Sequence, residues 1–358
     1  MNIVIIGAGK TGRGFLAPLV YKEVKSLTFI DRNQELIDKL RKNSYNVYYY
    51  NYPNKSVCIS DFEIYNIKDT LALNKIYESD LILTSVYSTN LKSLVSIIDT
   101  ACNLRNKKEK IKIICCENGV DVKHNLKILD DKCNITEALV FCTTMQYNDL
   151  DLISEDFKYL YYDNSFENMS LKFKNLKPVS DFELLVKRKI YTYNFLSALI
   201  AYIGYYIGHS IFGEAANDNF IKYILDKLHL ELADAISKEY NISFEQQLRF
   251  TQNALSKFQN KDIYDTIERN CINVKRKLGP KERLLMPLNI MLNQGKNINP
   301  ILLVIACALY YGRCEENLDT KQLLDTIAQS YTNKKVNNKI KYIFKELNEQ
   351  KDIKKINL

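Results

Sequence analysis

The sequence predicts an α/β protein, a doubly wound parallel sheet followed by an all-helical second domain, and three observations carry that expectation. The chain opens on a β-branched run, Ile3-Val4-Ile5-Ile6, that passes directly into Gly7-Ala8-Gly9-Lys10-Thr11-Gly12 and a helix-compatible segment. Strand-like and helix-like patterns then alternate as far as Thr143, as in a parallel sheet whose crossovers are helices. Near Asp181 the pattern changes, and from there to the C-terminus it is helical by periodicity.

Each glycine of the opening motif has a mechanical task. Gly7 permits a tight turn, Gly9 has no side chain to block a pyrophosphate, and Gly12 lets the helix pack close to the strand. Strand, G-x-G-x-x-G and helix together make the dinucleotide fingerprint of a Rossmann-type domain, with phosphates expected on the helix N-terminus. Leu27-Thr28-Phe29-Ile30 reads as a second strand ending in Asp31, which follows Gly12 at the roughly 20-residue spacing of a ribose-binding acid. A carboxylate there favours a free 2′-hydroxyl, hence NAD; Arg32 beside it leaves a 2′-phosphate, hence NADP, as the alternative. The cofactor-binding candidates are therefore Gly7, Ala8, Gly9, Lys10, Thr11, Gly12, Asp31, Arg32 and Asn33, joined by Ser85 and Glu117 from later strand ends.

In chain order, Gln34 to Arg41 has helical spacing, and Asn46–Tyr50, Val57–Ile59 and Phe62–Ile67 read as short strands. Asp80–Val86 has the composition of a buried strand, Leu91–Leu104 supplies a helix, and Lys112–Cys116 is another strand ending in Glu117-Asn118-Gly119. Ligands of such sheets bind beyond the C-terminal strand ends, where Thr84-Ser85 and Glu117-Asn118 fall. Ala138–Thr143 is expected as the last central strand. Short alternating pieces such as Ser170–Lys174 suggest an antiparallel extension. The domains expected are 1–180 for the dinucleotide and 181–358 as a helical cap for the substrate, with Pro280, Pro287 and Pro300 marking helix starts or breaks.

Composition narrows the function. An apolar fraction of 46% is that of an ordinary globular chain, and 358 residues suit two domains. Nine cysteines without a C-x-x-C and three scattered histidines offer no metal-ligand spacing, so no metal is expected. The cysteines read as reduced thiols, and a first strand beginning at Asn2 leaves no room for a signal peptide; a cytoplasmic location is expected. The apolar run Ile301–Tyr311 is too short to cross a bilayer, so no membrane partner is expected. A net charge of +8 comes from lysines spread along the chain, denser only from Lys334 to Lys355, where Ile340, Tyr342, Ile343 and Leu347 form an apolar stripe. That pattern reads as a helix with a solvated basic face and not as a nucleic-acid surface. Net positive charge still attracts an anionic, phosphorylated substrate.

The first helix of the second domain carries Lys189, Asn194 and Ser197 at roughly 0°, 140° and 80° around its axis, so one broad face offers an amine, an amide and a hydroxyl. A polar stripe facing solvent is the plain alternative. The opening Gly-Ala-Gly-x-x-Gly-Arg-Gly-Phe, the strand end Phe29–Asn33, Cys116-Glu117-Asn118, Arg188–Asn194 and Arg276–Leu284 follow one another in the order seen in mannitol-1-phosphate 5-dehydrogenases. From Asn2 to about Gly312 the chain resembles this branch of the polyol-specific long-chain mannitol dehydrogenase family. The resemblance implies a Rossmann-type domain with a helical C-terminal domain, no metal, and interconversion of fructose 6-phosphate and mannitol 1-phosphate with a nicotinamide cofactor.

The family motif K-x-x-x-x-N-x-x-H falls on Lys189, Asn194 and Ser197. The resemblance makes Lys189 the general base, with a pKa lowered from its free value of roughly 10.4 by burial or by cations such as the adjacent Lys187 and Arg188. It makes Asn194 and Asn118 the amides that hydrogen-bond the reacting oxygen, an oxyanion-type arrangement. The sequence departs from the family at two places: Ser197 stands for the motif histidine, and Met145-Gln146 for an Asp-Arg pair. His209 reads as structural. Arg283, Lys277 and Arg276 are the candidates for holding the substrate anion, with surface charge as the alternative. The same fold acting on another sugar or sugar acid, and an NAD-binding regulatory protein of weak activity, remain as alternatives to a polyol-phosphate dehydrogenase.

Overall fold

Among the described residues, twelve strands lie in the first half of the chain: β1 (Asn2–Ile6), β2 (Ser26–Asp31), β3 (Tyr45–Tyr49), β4 (Tyr52–Ile59), β5 (Glu63–Asn66), β6 (Leu81–Thr84), β7 (Ile111–Cys115), β8 (Cys133–Leu139), β9 (Thr144–Gln146), β10 (Leu152–Ser154), β11 (Leu160–Asp163) and β12 (Leu176–Val179). The structure, a computed structural model, describes every residue except 42–43, 51, 107–108, 120, 165–170, 172, 331–332 and 357–358. The chain divides into two units, Met1–Glu183 and Leu184–Leu358.

The main sheet of the first unit has the order β12-β11-β8-β7-β6-β1-β2-β5. From β8 to β5 every pair is parallel, and β11 runs antiparallel to β8. The chain builds outward from β1 through β2 to β5, then returns to β6 on the other side and continues to β7 and β8. The switch between β1 and β6 opens a crevice beyond the strand ends. Both faces are covered: Ile3 and Ile5 enter one core cluster and Val4 and Ile6 the other, which is why β1 is apolar at successive positions instead of alternating. Helices Thr70–Glu78 and Val95–Leu104 cover one face; the first of them has no counterpart in the sequence reading.

Several expectations need correcting. The strands read at Asn46–Tyr50 and Val57–Ile59 exist, yet they leave the main sheet for a second one of order β4-β3-β10-β9. The last central strand is β8, which ends at Leu139, so only Ala138 and Leu139 of Ala138–Thr143 belong to it. Local composition favoured Val140–Thr143, but the register of β7 with β8 starts at Ile111 and Cys133 and sets the strand earlier. The helix read at Leu91–Leu104 begins with tighter turns at Ser88–Leu94. An antiparallel extension is present as β11, though Ser170 and Lys172 of the piece named for it lie outside the described residues.

The second unit is helical. Phe182–Lys189 continues without a break through Ile190–Asn194 into Phe195–Tyr206, followed by Asn219–Glu239, Phe244–Phe258, Leu285–Asn293, Asn299–Glu315, Thr320–Ser330 and Lys334–Asn348. Asn299–Glu315 is buried along most of its length, packed against Phe195–Tyr206 and Lys334–Asn348, which explains the long apolar run. Pro300 sits in its first turn, Pro287 in that of Leu285–Asn293, and Pro280 in the turn before it. On Lys334–Asn348 the stripe is Val336, Ile340, Ile343, Phe344 and Leu347. Tyr342, expected in it, is exposed, because it falls on the opposite side of the helix.

Candidate active site

The fingerprint turn is shaped by backbone. Gly7 has φ +107°, and a Cβ there would stand 2.3 Å from the Ser85 carbonyl oxygen. A Cβ on Gly12 would stand 2.0 Å from the Gly7 oxygen, so the helix approaches the strand end as closely as a bare backbone allows. At Gly9 a Cβ would meet nothing within 4 Å. Lys10 is exposed and Thr11 half-buried. The Asp31 carboxylate accepts from the Ala8 N–H at 2.7 Å on one oxygen and from the Asn33 N–H at 2.9 Å on the other. Each oxygen keeps a lone pair for a ribose hydroxyl. Open space at Gly9, an acid at the β2 end and an exposed Gly9-Lys10 at the helix start fit a dinucleotide. Arg32 is exposed, and Asn33 caps helix Gln34–Leu40 by accepting from the Leu36 N–H.

Ser85 lies half-buried at the end of β6, its N–H donating to the Ile6 carbonyl at 2.7 Å. Glu117 behaves otherwise than a surface acid. Only 7% exposed, it accepts from the Thr84 hydroxyl at 2.8 Å and the Val86 N–H at 2.9 Å, bracing β6 against β7. Burial pushes its pKa up to about 7 against those donors. Asn118, the next residue, is exposed.

The helix that begins at Phe182 widens between Lys189 and Asn194. The Phe195 N–H bonds the Ile190 carbonyl five residues back, a π-helical turn. Such a turn holds one residue more than an α turn, so groups five apart come nearly one above the other. Lys189 and Asn194 therefore share a face more closely than the 140° of a regular helix allows. A neighbouring helix grips the widened turn: Gln247, fully buried, accepts from Arg188 at 2.9 Å and donates to the Thr192 hydroxyl at 2.9 Å.

Lys189 is 7% exposed, and its pKa is brought down to about 7 by burial first and by Lys257 and Arg283 next. The cations expected for this, Lys187 and Arg188, point elsewhere. Lys187 stands over the Tyr240 ring and Arg188 over Phe250, because successive helix residues do not face one another. Lys277 is a second buried lysine brought down to about 7, again by burial and then by Arg283. Its ammonium donates to the Asn270 carbonyl and lies 5.4 Å from the centre of the Tyr202 ring. The Asn270 side chain accepts from Ser197 at 3.3 Å and donates to Asp265 at 2.9 Å. Arg283 is largely buried and Arg276 half-exposed, and both pair with Glu282, at 3.4 and 3.2 Å.

Sequence models of two domains account for most of the chain: the mannitol dehydrogenase Rossmann domain matches residues 1–145 and the mannitol dehydrogenase C-terminal domain residues 181–356. The chain belongs to the mannitol dehydrogenase family. Among its relatives, the mannitol-1-phosphate 5-dehydrogenase of Clostridium acetobutylicum is 26% identical, covering 98% of this chain and 100% of its own. That of Thermoanaerobacter pseudethanolicus is 29% identical over 88% and 87%. The fold is shared with a D-sorbitol dehydrogenase in substrate-free form, TM-score 0.74 at 13% identity over 98% and 93% of the two chains. It is shared too with the Pseudomonas fluorescens mannitol 2-dehydrogenase in ternary complex with NAD and D-mannitol, TM-score 0.74 at 13% identity over 98% and 92%.

Within the family pattern, the two departures have different settings. Ser197 joins Asn270 and, through it, Asp265. Met145-Gln146 lies in the second sheet of the first unit, where the Gln146 amide donates to the carbonyls of Asn148, Asp149 and Asp151 and closes a turn. His209 stands 3.5 Å from Asp218, whose carboxylate caps helix Asn219–Glu239. Lys257, Asn270 and Gln247 escaped the sequence reading because no local motif marks them, and Glu282, inside the Arg276–Leu284 motif, was given no role there. Among the described residues no helix is long and apolar enough to cross a membrane, and no three His, Cys, Asp or Glu side chains gather to hold a metal.

Proposed function

We propose that this protein is an NAD-dependent oxidoreductase that interconverts a polyol phosphate and a ketose phosphate, with mannitol 1-phosphate and fructose 6-phosphate as the first pair to test. The observation that carries the reading is a lysine at the family's base position, buried directly before a π turn, its pKa brought down to about 7 by that burial and by neighbouring cations. Bound at the fingerprint, NAD supplies the hydride acceptor. Neutral Lys189 takes the hydroxyl proton as the alcohol is oxidised and returns it in the reverse direction. Asn194 and Asn118 are assigned as amide donors to the reacting oxygen, with Ser197 in the place of the family histidine. Arg283 and Lys277, with Arg276 further out, are assigned to the substrate phosphate, since three cations outnumber the acids near them, Glu282 and Glu316, and a cluster with net positive charge favours a dianion. Residues 1–180 thereby serve the cofactor and 181–358 the substrate. The proposed setting is the cytoplasm, with a small sugar as partner and no nucleic acid; nine free thiols agree with a reducing compartment.

The test is NADH consumption against fructose 6-phosphate, free fructose, other ketose phosphates and uronates. Fructose 6-phosphate or another ketose phosphate should be reduced fastest. A preference for an unphosphorylated sugar or a uronate would move the protein to another substrate class within the fold, and no turnover on any of them would leave a binding protein.

A further inference from the structure

Arg13 is 2% exposed, in the π-helical turn Gly12–Leu16 directly after the fingerprint. A buried guanidinium needs partners on every side. Its Nε donates to the Ala8 carbonyl at 2.7 Å, one Nη donates to the Leu150 carbonyl at 2.6 Å, and the other reaches Gln146 Oε1 at 3.5 Å. Tyr45 lays its ring 5.3 Å from the guanidinium carbon and returns its hydroxyl to the Arg13 carbonyl at 3.0 Å. The fork thus ties the second sheet and its 148–151 turn to one carbonyl of the fingerprint loop. A lysine could not span these acceptors.

That carbonyl decides where the next amide points. The Ala8–Gly9 peptide is planar and trans, so the Ala8 C=O and the Gly9 N–H point in opposite directions. Arg13 draws the C=O into the interior, while Asp31 holds the Ala8 N–H at 2.7 Å and removes the freedom to flip. Ala8 is fully buried, whereas Gly9 is exposed with open space where its Cβ would be. We propose that Arg13 is a positioning residue that turns the Gly9 amide outward to receive a dinucleotide pyrophosphate. The proposal rests on the cofactor reading above.

The experiment compares binding of NADH, ADP-ribose and adenosine to the full-length protein and to Arg13→Lys and Arg13→Met, by calorimetry. Both variants should weaken NADH and ADP-ribose by about tenfold or more and leave adenosine, which has no pyrophosphate, unchanged. Equal weakening of all three ligands, or of none, overturns the proposal. Should both variants fail to fold, glycine-selective ¹⁵N labelling of the unaltered chain decides, since it holds only 11 glycines. The Gly9 amide, assigned through Gly9→Ala, should shift with ADP-ribose and not with adenosine; a silent Gly9 overturns the proposal. An unaltered protein that binds neither NADH nor ADP-ribose overturns the cofactor reading and this proposal with it.

Discussion

The two units bring buried groups close to neutrality by the same means and with opposite sign. In the nucleotide unit, burial raises the Glu117 carboxyl to about 7 while Thr84 and Val86 hold it in place. In the helical unit, burial lowers Lys189 and Lys277 to about 7, and neighbouring cations push the same way. Glu117 has hydrogen-bond donors that tie two strands together, which makes it a brace. Both lysines have cations among their neighbours, Lys257 and Arg283 for Lys189 and Arg283 and Arg276 for Lys277, and a group pushed away from its ordinary charge state is suited to exchange a proton. The same dehydration therefore braces two strands in one unit and, on the proposed function, prepares a proton acceptor in the other.

The largest break in this comparison comes from Lys189→Ala, which should reduce turnover by about 100-fold or more while NADH affinity stays nearly unchanged. Steady-state kinetics with a parallel binding titration checks it, and retained activity would mean that the proton goes elsewhere. On the nucleotide side, Asp31→Ala should abolish the preference for NADH over NADPH and weaken NADH by about tenfold, since the carboxylate also holds the Ala8 amide. Equal affinity of the unaltered protein for both cofactors would remove Asp31 from that role.

The pH dependence sharpens the contrast. With Lys189 as the proposed base, oxidation needs its neutral form, so the rate should rise with pH through about 7, while the rate of reduction should fall. Lys257→Met removes a neighbouring cation and should move both limbs to higher pH. Stability follows opposite slopes. Glu117 rises from 4.5 to about 7 on folding, so its contribution is complete below pH 4.5 and is lost as pH climbs through 7. The lysines fall from 10.5 to about 7, so the stability they permit is complete above pH 10.5 and is lost as pH drops through 7. Each group contributes a slope of at most about 1.4 kcal/mol per pH unit inside its window. Urea unfolding of Glu117→Gln should show the loss between pH 4.5 and 7 removed; an unchanged slope there would show that Glu117 is not its source. The smallest effect is expected from Ser197→Ala, worth about 1 kcal/mol for its 3.3 Å bond to Asn270 and less than about tenfold in turnover. A larger loss in turnover would place the hydroxyl on the substrate.

By itself the sequence determined what depends on neighbours along the chain. Gly7, Gly9 and Gly12, the β2 end at Asp31 and the apolar run buried in Asn299–Glu315 were all legible, because turn sterics, strand composition and helical periodicity act over a few residues. The order Lys189, Asn194, Ser197 was legible as a motif on one broad face, but how closely Lys189 and Asn194 share that face was not. A regular 100° step cannot foresee the π turn, which Gln247 braces from a helix more than fifty residues away. Only the tertiary structure put Lys257 and Arg283 beside Lys189 in place of Lys187 and Arg188, turned Glu117 inward, and moved β3 and β4 into a second sheet. Electrostatics and burial act through space, so residues far apart in the chain set the charge of a group whose own neighbours face away.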